Sequence, residues 1–319
     1  MEQKLSLSIS PHIGTTDSIP KVMRWVILAL LPALFWGFYL FGLQAILLTL
    51  TSVSGCVLGE ISVQLLRKRD IWIIKDGSAI LTGILLAMVL PPGFPIALGF
   101  LGAIFAIIIG KAVFGGLGYN IFNPALLGRA FLQISFPVLM TTWVNPGFVD
   151  AVTSATPLAL AKFETVFIPL KTLFFGMHGG CIGETSAFLL LLGGLFLAHK
   201  RIIDVYIPAS IFATVAIMAL VFSIFTNGES GSILFHWFSG GLMIGAFFMA
   251  TDWVSSPMTK IGSVLYGIGI GVVIMVIRVL GGLPEGMMFS ILFMNAFVPI
   301  LNRHTYHRKF GYKTRKVEG

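Results

Sequence analysis

The stretch Asp150-Ala151-Val152-Thr153-Ser154-Ala155-Thr156-Pro157-Leu158-Ala159 sets an acidic residue six positions before a threonine, with small and hydroxyl residues between. By residue type alone it reads as a helix start. The Thr156 side chain can cap the first turn, and Pro157 suits the first helical position. The Thr156 hydroxyl is also the one atom of that side chain able to form an ester. A second set of candidates is the ionisable residues inside or near apolar runs: Glu60, Lys111, Arg129, Asp204 and Arg278. Charged groups at membrane depth are costly, so each is either functional or satisfied by a neighbouring helix. Glu60 lies in the middle of its run and is the leading candidate for an ion path. Asp204 adjoins Lys200 and Arg201 and reads as a solvated boundary group, while Asp76 and Asp252 stand at segment ends, where capping is the ordinary role.

Other chemistries find less support. The six histidines (12, 178, 199, 236, 304 and 307) show no metal-ligand spacing backed by carboxylates, and Cys56 and Cys181 are isolated packing residues. No metal site and no disulfide framework is expected. No glycine-rich phosphate cradle follows a strand, so the chain has no soluble nucleotide-binding domain and no catalytic site for NADH.

The elements that must position these residues are membrane spans. Hydrophobic residues make up 56% of the 319 and charged residues 11%, against about 25% charged in a soluble chain. Mean hydropathy is +0.95. The net charge of +8 would suggest nucleic acid in a soluble protein, but here the basic residues cluster between apolar runs, and no nucleic-acid partner is expected. Met1 to Pro20 lacks the pattern of a cleaved signal peptide.

About 20 apolar residues span a bilayer as a helix. The predicted fold is all-α and polytopic, with about ten transmembrane helices: roughly 22–41, 43–66, 78–90, 95–114, 123–140, 184–199, 202–225, 231–251, 261–280 and 284–301. Lys21, Arg24, Arg67, Lys68, Arg69, Lys75, Lys200, Arg201, Lys260 and the basic tail then fall on one side, which predicts cytoplasmic N- and C-termini and an outward-facing loop 141–183. The third segment meets Pro91-Pro92, its counterpart meets Ser255-Ser256-Pro257, and Gly-Gly-Leu recurs at 115–117 and 281–283. This suggests two inverted five-helix repeats with interrupted helices, an arrangement that places sites near the membrane midplane. The expected units are a cytoplasmic segment 1–21, a first repeat 22–140, an extracytoplasmic loop 141–183, a second repeat 184–302 and a tail 303–319.

The Asp150–Thr156 stretch is similar to the flavinylation motif of the membrane subunits of Rnf-type complexes and of the Na+-translocating NADH:quinone oxidoreductase. Ser10-Pro11-His12, Asn123-Pro124-Ala125, Gly128-Arg129-Ala130-Phe131 and Ser135-Phe136-Pro137 also resemble that family. Length and span plan look more like the D subunits of Rnf complexes than the longer B subunits of the quinone reductase.

The resemblance implies FMN on Thr156 as a phosphoester, placed there by a flavin transferase that recognises Asp150, Ser154 and Ala155, and bound riboflavin in addition. It implies a component of a ferredoxin:NAD+ oxidoreductase in a bacterial or archaeal cytoplasmic membrane. Electrons would pass through flavins and drive Na+ or H+ across the bilayer, with the A, B, C, E and G subunits as partners. A flavin acceptor is expected to be an exposed hydroxyl on an extended loop, and Phe131, Phe136 and Trp143 are the nearest aromatic candidates for flavin contact. A urea-type channel or small-solute transporter without a cofactor is the alternative that ten spans in inverted halves would also fit.

Overall fold

A computed structural model describes residues 18–68, 71–144, 153–225 and 231–306. The protein is mostly helical. Among the described residues, the helices that frame the site are α1 (Ile19–Leu66), α2 (Ser78–Met88), α3 (Ile96–Ile107), α4 (Pro124–Ser135), α5 (Ala187–His199), α6 (Tyr206–Phe225), α7 (Ile233–Phe238), α8 (Leu242–Ile244), α9 (Lys260–Val279) and α10 (Met287–Thr305). α3 runs on into a π turn at Ile108–Ala112, and α8 into another at Gly245–Met249. The only strands among the described residues are a two-residue ribbon, β1 (Trp143–Val144) antiparallel to β2 (Thr153–Ser154).

α1 is two helical arms joined at Gly42, whose φ of 67° and ψ of −149° are not helical. That backbone favours glycine. Met23 on the first arm and Lys111 beside Glu60 on the second line the same cavity, so the arms run antiparallel. α1, α6 and α9 are long and apolar enough to cross a bilayer by length and composition alone. α2 has 11 residues, about 16 Å of helix and roughly half a hydrocarbon core. Many large apolar side chains face outward, among them Phe35 at 59% exposure, Leu43 at 69% and Ile224 at 78%. A soluble monomer rarely exposes apolar patches beyond a few hundred Å², so this surface suits lipid.

The bundle has two ends of different chemistry. At the basic end, Lys200 lies over the Trp25 ring, Lys260 over the Tyr206 ring, and Trp253 donates to the Ile202 carbonyl. At the loop end, Gly183 N donates to Met88 O at 2.6 Å and Ile182 N to Leu90 O at 3.2 Å, so the segment before α5 closes over the end of α2.

The third apolar segment of the second half is broken twice. α7 stops at Phe238 and α8 restarts at Leu242, with Gly240 at φ 65° between them. After Met249 the chain leaves helical geometry again and passes Pro257 before α9 begins at Lys260.

Candidate functional site

Thr156 follows β2 with an extended backbone (φ −68°, ψ 157°), and Pro157 opens the short helix Pro157–Ala159. The Thr156 Oγ1 accepts from Ala159 N at 3.2 Å, as an N-cap hydroxyl should. This corrects the expectation of an exposed acceptor. Thr156 is only 8% exposed, whereas Ala155 beside it is exposed. Asp150 lies outside the described residues, and Ser154 is paired through β2 with Trp143. Leu158 is buried against Leu173 and Phe235. Phe131 stacks on Phe105 with ring centroids 4.1 Å apart, so its ring is committed to helix packing.

Lys162 ties this loop to the bundle. Its Nζ donates to Ile277 O at 3.1 Å, to Leu283 O at 3.0 Å and to Gly281 O. These carbonyls lie at the C-terminal end of α9, where the helix dipole favours a cation. Desolvation pushes the Lys162 pKa below its ordinary value.

A buried polar cluster lies next to the loop, at the break between α7 and α8. The break leaves the carbonyls of His236 and Ser239 outside the helical ladder, and the Arg278 guanidinium from α9 donates to them at 2.7 and 2.9 Å. It also leaves Gly241 N outside, and that amide donates to Glu285 Oε1 at 2.6 Å. Glu285 Oε2 pairs with Arg129 of α4 at 2.9 Å. Glu184 reaches the same place, its Oε2 accepting from Cys181 N at 3.4 Å. A carboxylate oxygen of Glu184, one of Glu285 and Cys181 Sγ lie within 4.8 Å of one another. Sequence reasoning singled out Arg129 and Arg278 but missed Glu184 and Glu285, which open predicted spans and look like ordinary boundary residues. The Ser239-Gly240-Gly241 run inside an apolar segment was the available signal.

At the basic end, Glu60 is buried and pairs with Lys111 at 2.5 Å, and Lys111 also donates to Ser78 Oγ at 2.7 Å. The π turn of α3 carries Lys111; such turns often accompany functional sites. Glu60, Gln64 and Arg67 line a small space beside this pair. On the other side of Lys111 lies a larger cavity of about 780 Å³ counting its open mouth, with Ser78, Asn120, Asn123, Thr251 and Asp252 as polar lining against Phe247 and Phe248. Asn123 donates to Met249 O at 3.2 Å, which fixes α4 against the end of the π turn after α8. Asp76, Asp204 and Asp252 all accept local hydrogen bonds, from Ser78, Tyr206 and Ser255 respectively.

Comparison with known proteins covers nearly the whole chain, since residues 6–311 match the NQR2, RnfD, RnfE family. The chain is 44% identical over 318 residues to the D subunit of the proton-translocating ferredoxin:NAD(+) oxidoreductase complex of Clostridium ljungdahlii, covering 96% of each chain. It is 46% identical over 321 residues to the D subunit of the Na(+)-translocating ferredoxin:NAD(+) oxidoreductase complex of Acetobacterium woodii, covering 99% of this chain and 98% of that one. It is 39% identical to the D subunit of the ion-translocating oxidoreductase complex of Stutzerimonas stutzeri, covering 94% of each. With a match over residues 6–311 and relatives 44% and 46% identical over nearly the whole chain, the chain belongs to the NQR2, RnfD, RnfE family.

Proposed function

We propose that this chain is the D subunit of an Rnf-type ferredoxin:NAD+ oxidoreductase, and that it carries FMN as a phosphoester on Thr156 within an ion-moving membrane complex. Full-length identity to D subunits named for ion translocation is the observation that carries this reading. Its partners are then the other subunits of such a complex (A, B, C, E and G) and a flavin transferase. The complex sits in the cytoplasmic membrane, with the Thr156 loop on the outer face and both termini inside. Ten spans in two inverted repeats account for the way the two halves use their basic residues. Lys111, late in the fourth segment of the first half, reaches Ser78 at the start of α2. Arg278, late in the fourth segment of the second half, reaches Ser239 at the break before α8, at the opposite end of the bundle.

Thr156 fits the flavin chemically. Its Oγ1 acts as an acceptor toward Ala159 N, and an ester oxygen keeps that capacity while losing only the hydroxyl proton. The burial of Thr156 requires the loop to open for the transferase, with Asp150, Ser154 and Ala155 as the recognition residues. The larger cavity is the proposed riboflavin site, because its walls combine amide and hydroxyl groups with Phe247 and Phe248. Bound flavin supplies one- or two-electron transfer; the protein supplies position and electrostatics. Asn120, Asn123 and Thr251 would hold the polar edge and the ribityl hydroxyls, and Phe247 and Phe248 would exclude water. Glu60, held by Lys111, lies on the proposed ion path.

The test is the intact mass of the purified chain together with flavin fluorescence in a denaturing gel. The wild type should carry one FMN less one water, and Thr156→Val should carry none while still inserting in the membrane. An adduct that survives in Thr156→Val overturns the assignment.

A further inference from the structure

We propose that Glu184, at the break between α7 and α8, is a cation-exchanging carboxyl group that holds a proton in the closed fold and releases it in exchange for a monovalent cation or to solvent. The inference extends the ion-moving reading and rests on it for its purpose, but the protonation it describes is independent of any flavin.

Glu184 is only 4% exposed, and no hydrogen-bond donor reaches its Oε1 among the described residues. Its surroundings explain why. Arg129, from α4, is directed to Glu285 Oε2 at 2.9 Å. Arg278, from α9, commits its two terminal nitrogens to the His236 and Ser239 carbonyls. Glu285, from the turn before α10, is the group Glu184 faces; its two oxygens accept from Arg129 and from Gly241 N, one donor each, which leaves each a further lone pair. Within its own loop, Cys181 gives its thiol to Val89 O at 3.1 Å, and His178 is turned to Gly179 O. A side chain built on Gly241 would meet Glu285 Oε1 at 2.9 Å and Glu184 Oε1 at 3.3 Å, so the lack of a Cβ at that glycine is what lets the two carboxyls meet.

Two carboxylates this close do not both stay ionised without added positive charge. Glu285 has Arg129 as its ionic partner and Glu184 has none among the described residues, so Glu184 is the one that keeps the proton. Its carboxylic acid can then donate to Glu285. The arrangement is balanced for release: when the proton leaves, two guanidinium groups face two carboxylates, and Arg278, bonded here only to carbonyls, offsets the new charge. A sodium ion at the same oxygens would replace the proton one for one. The site adjoins the Thr156 loop through Leu158, which lies against Gly240.

Infrared difference spectroscopy of the full-length chain in lipid nanodiscs tests this. The wild type should show a protonated-carboxyl C=O band that shifts in heavy water, is absent from Glu184→Gln, and disappears as the pH is raised. Loss of the band on adding sodium but not potassium at fixed pH would identify sodium as the exchanging ion; loss with pH alone would identify the proton. A Glu184→Gln spectrum that superposes on the wild type, or a band that persists over the whole pH range in which the protein stays folded, overturns the proposal. Should Glu184→Gln fail to fold, dicyclohexylcarbodiimide labelling of the unaltered chain gives the same answer. An adduct on Glu184 that declines with rising pH supports the assignment, and no adduct at any pH sinks it. Repeating the spectra on Thr156→Val separates this result from the fate of the flavin reading.

Discussion

Arg129 and Glu285 are 156 residues apart in sequence and 2.9 Å apart in space, Nη2 to Oε2, and their ion pair ties α4 to the turn before α10. Removing one member of a buried pair strands the other charge, at a cost of roughly 3–5 kcal/mol, whereas replacing both with apolar groups can be nearly neutral. Arg129→Met and Glu285→Leu alone should each lower the denaturation midpoint strongly, and the double variant should recover part of the loss. Additive losses in a double-mutant cycle would show that the two residues act separately.

Thr156 carries two roles that substitution can separate. Thr156→Val removes both the acceptor hydroxyl and the cap to Ala159 N. It should abolish flavin fluorescence and cost about 0.5–2 kcal/mol from the lost cap. Thr156→Ser should keep the cap and part of the attachment. Thr153→Val should change neither the mass adduct nor the fluorescence.

Glu60 and Lys111 form the buried pair at the basic end. Glu60→Gln should slow coupled ion transport in reconstituted vesicles while leaving the covalent flavin in place. Lys111→Met should be harsher than Glu60→Gln, because it strands the Glu60 charge and takes the donor from Ser78 as well. Transport at the wild-type rate in Glu60→Gln would assign that residue to helix packing alone.

His178 lies in the loop before α5, buried, with Nδ1 3.1 Å from Gly179 O. Burial pushes its pKa below the ordinary value. The unfolded or opened loop therefore binds a proton near pH ~6.5, where the closed loop does not. Stability from His178 is present above that pH and is lost as pH falls through it. Proteolysis of the loop should rise on mild acidification in the wild type, and His178→Gln should flatten that dependence.

Sidedness is open to chemical labelling because Cys56 and Cys181 are both buried. Met177 is 62% exposed on the loop. Met177→Cys should react with a membrane-impermeant maleimide in intact cells. Reaction only after the membrane is broken would reverse the proposed orientation.

Sequence alone determined what depends on each segment by itself. Lipid solvation acts on one helix at a time, so the apolar runs and the turn at Gly42 could be read from composition and spacing, as could the Pro157 helix start behind Thr156. The basic clusters that mark one end of the bundle were legible for the same reason, since they adjoin the runs they flank. Which buried charges meet was decided only by tertiary structure. Glu184 and Glu285 look like residues at the mouths of spans until the break at Gly240 releases a backbone amide and two carbonyls within the bundle. Those groups must find partners in a low-dielectric interior, and the side chains that supply them, Arg278 and Glu285, come from the far end of the chain. The burial of Thr156 has the same origin. Its motif is local, but the docking of its loop rests on Lys162 reaching the carbonyl end of α9, more than a hundred residues away. No pattern of neighbours in sequence encodes that distance; it follows from how the two halves pack.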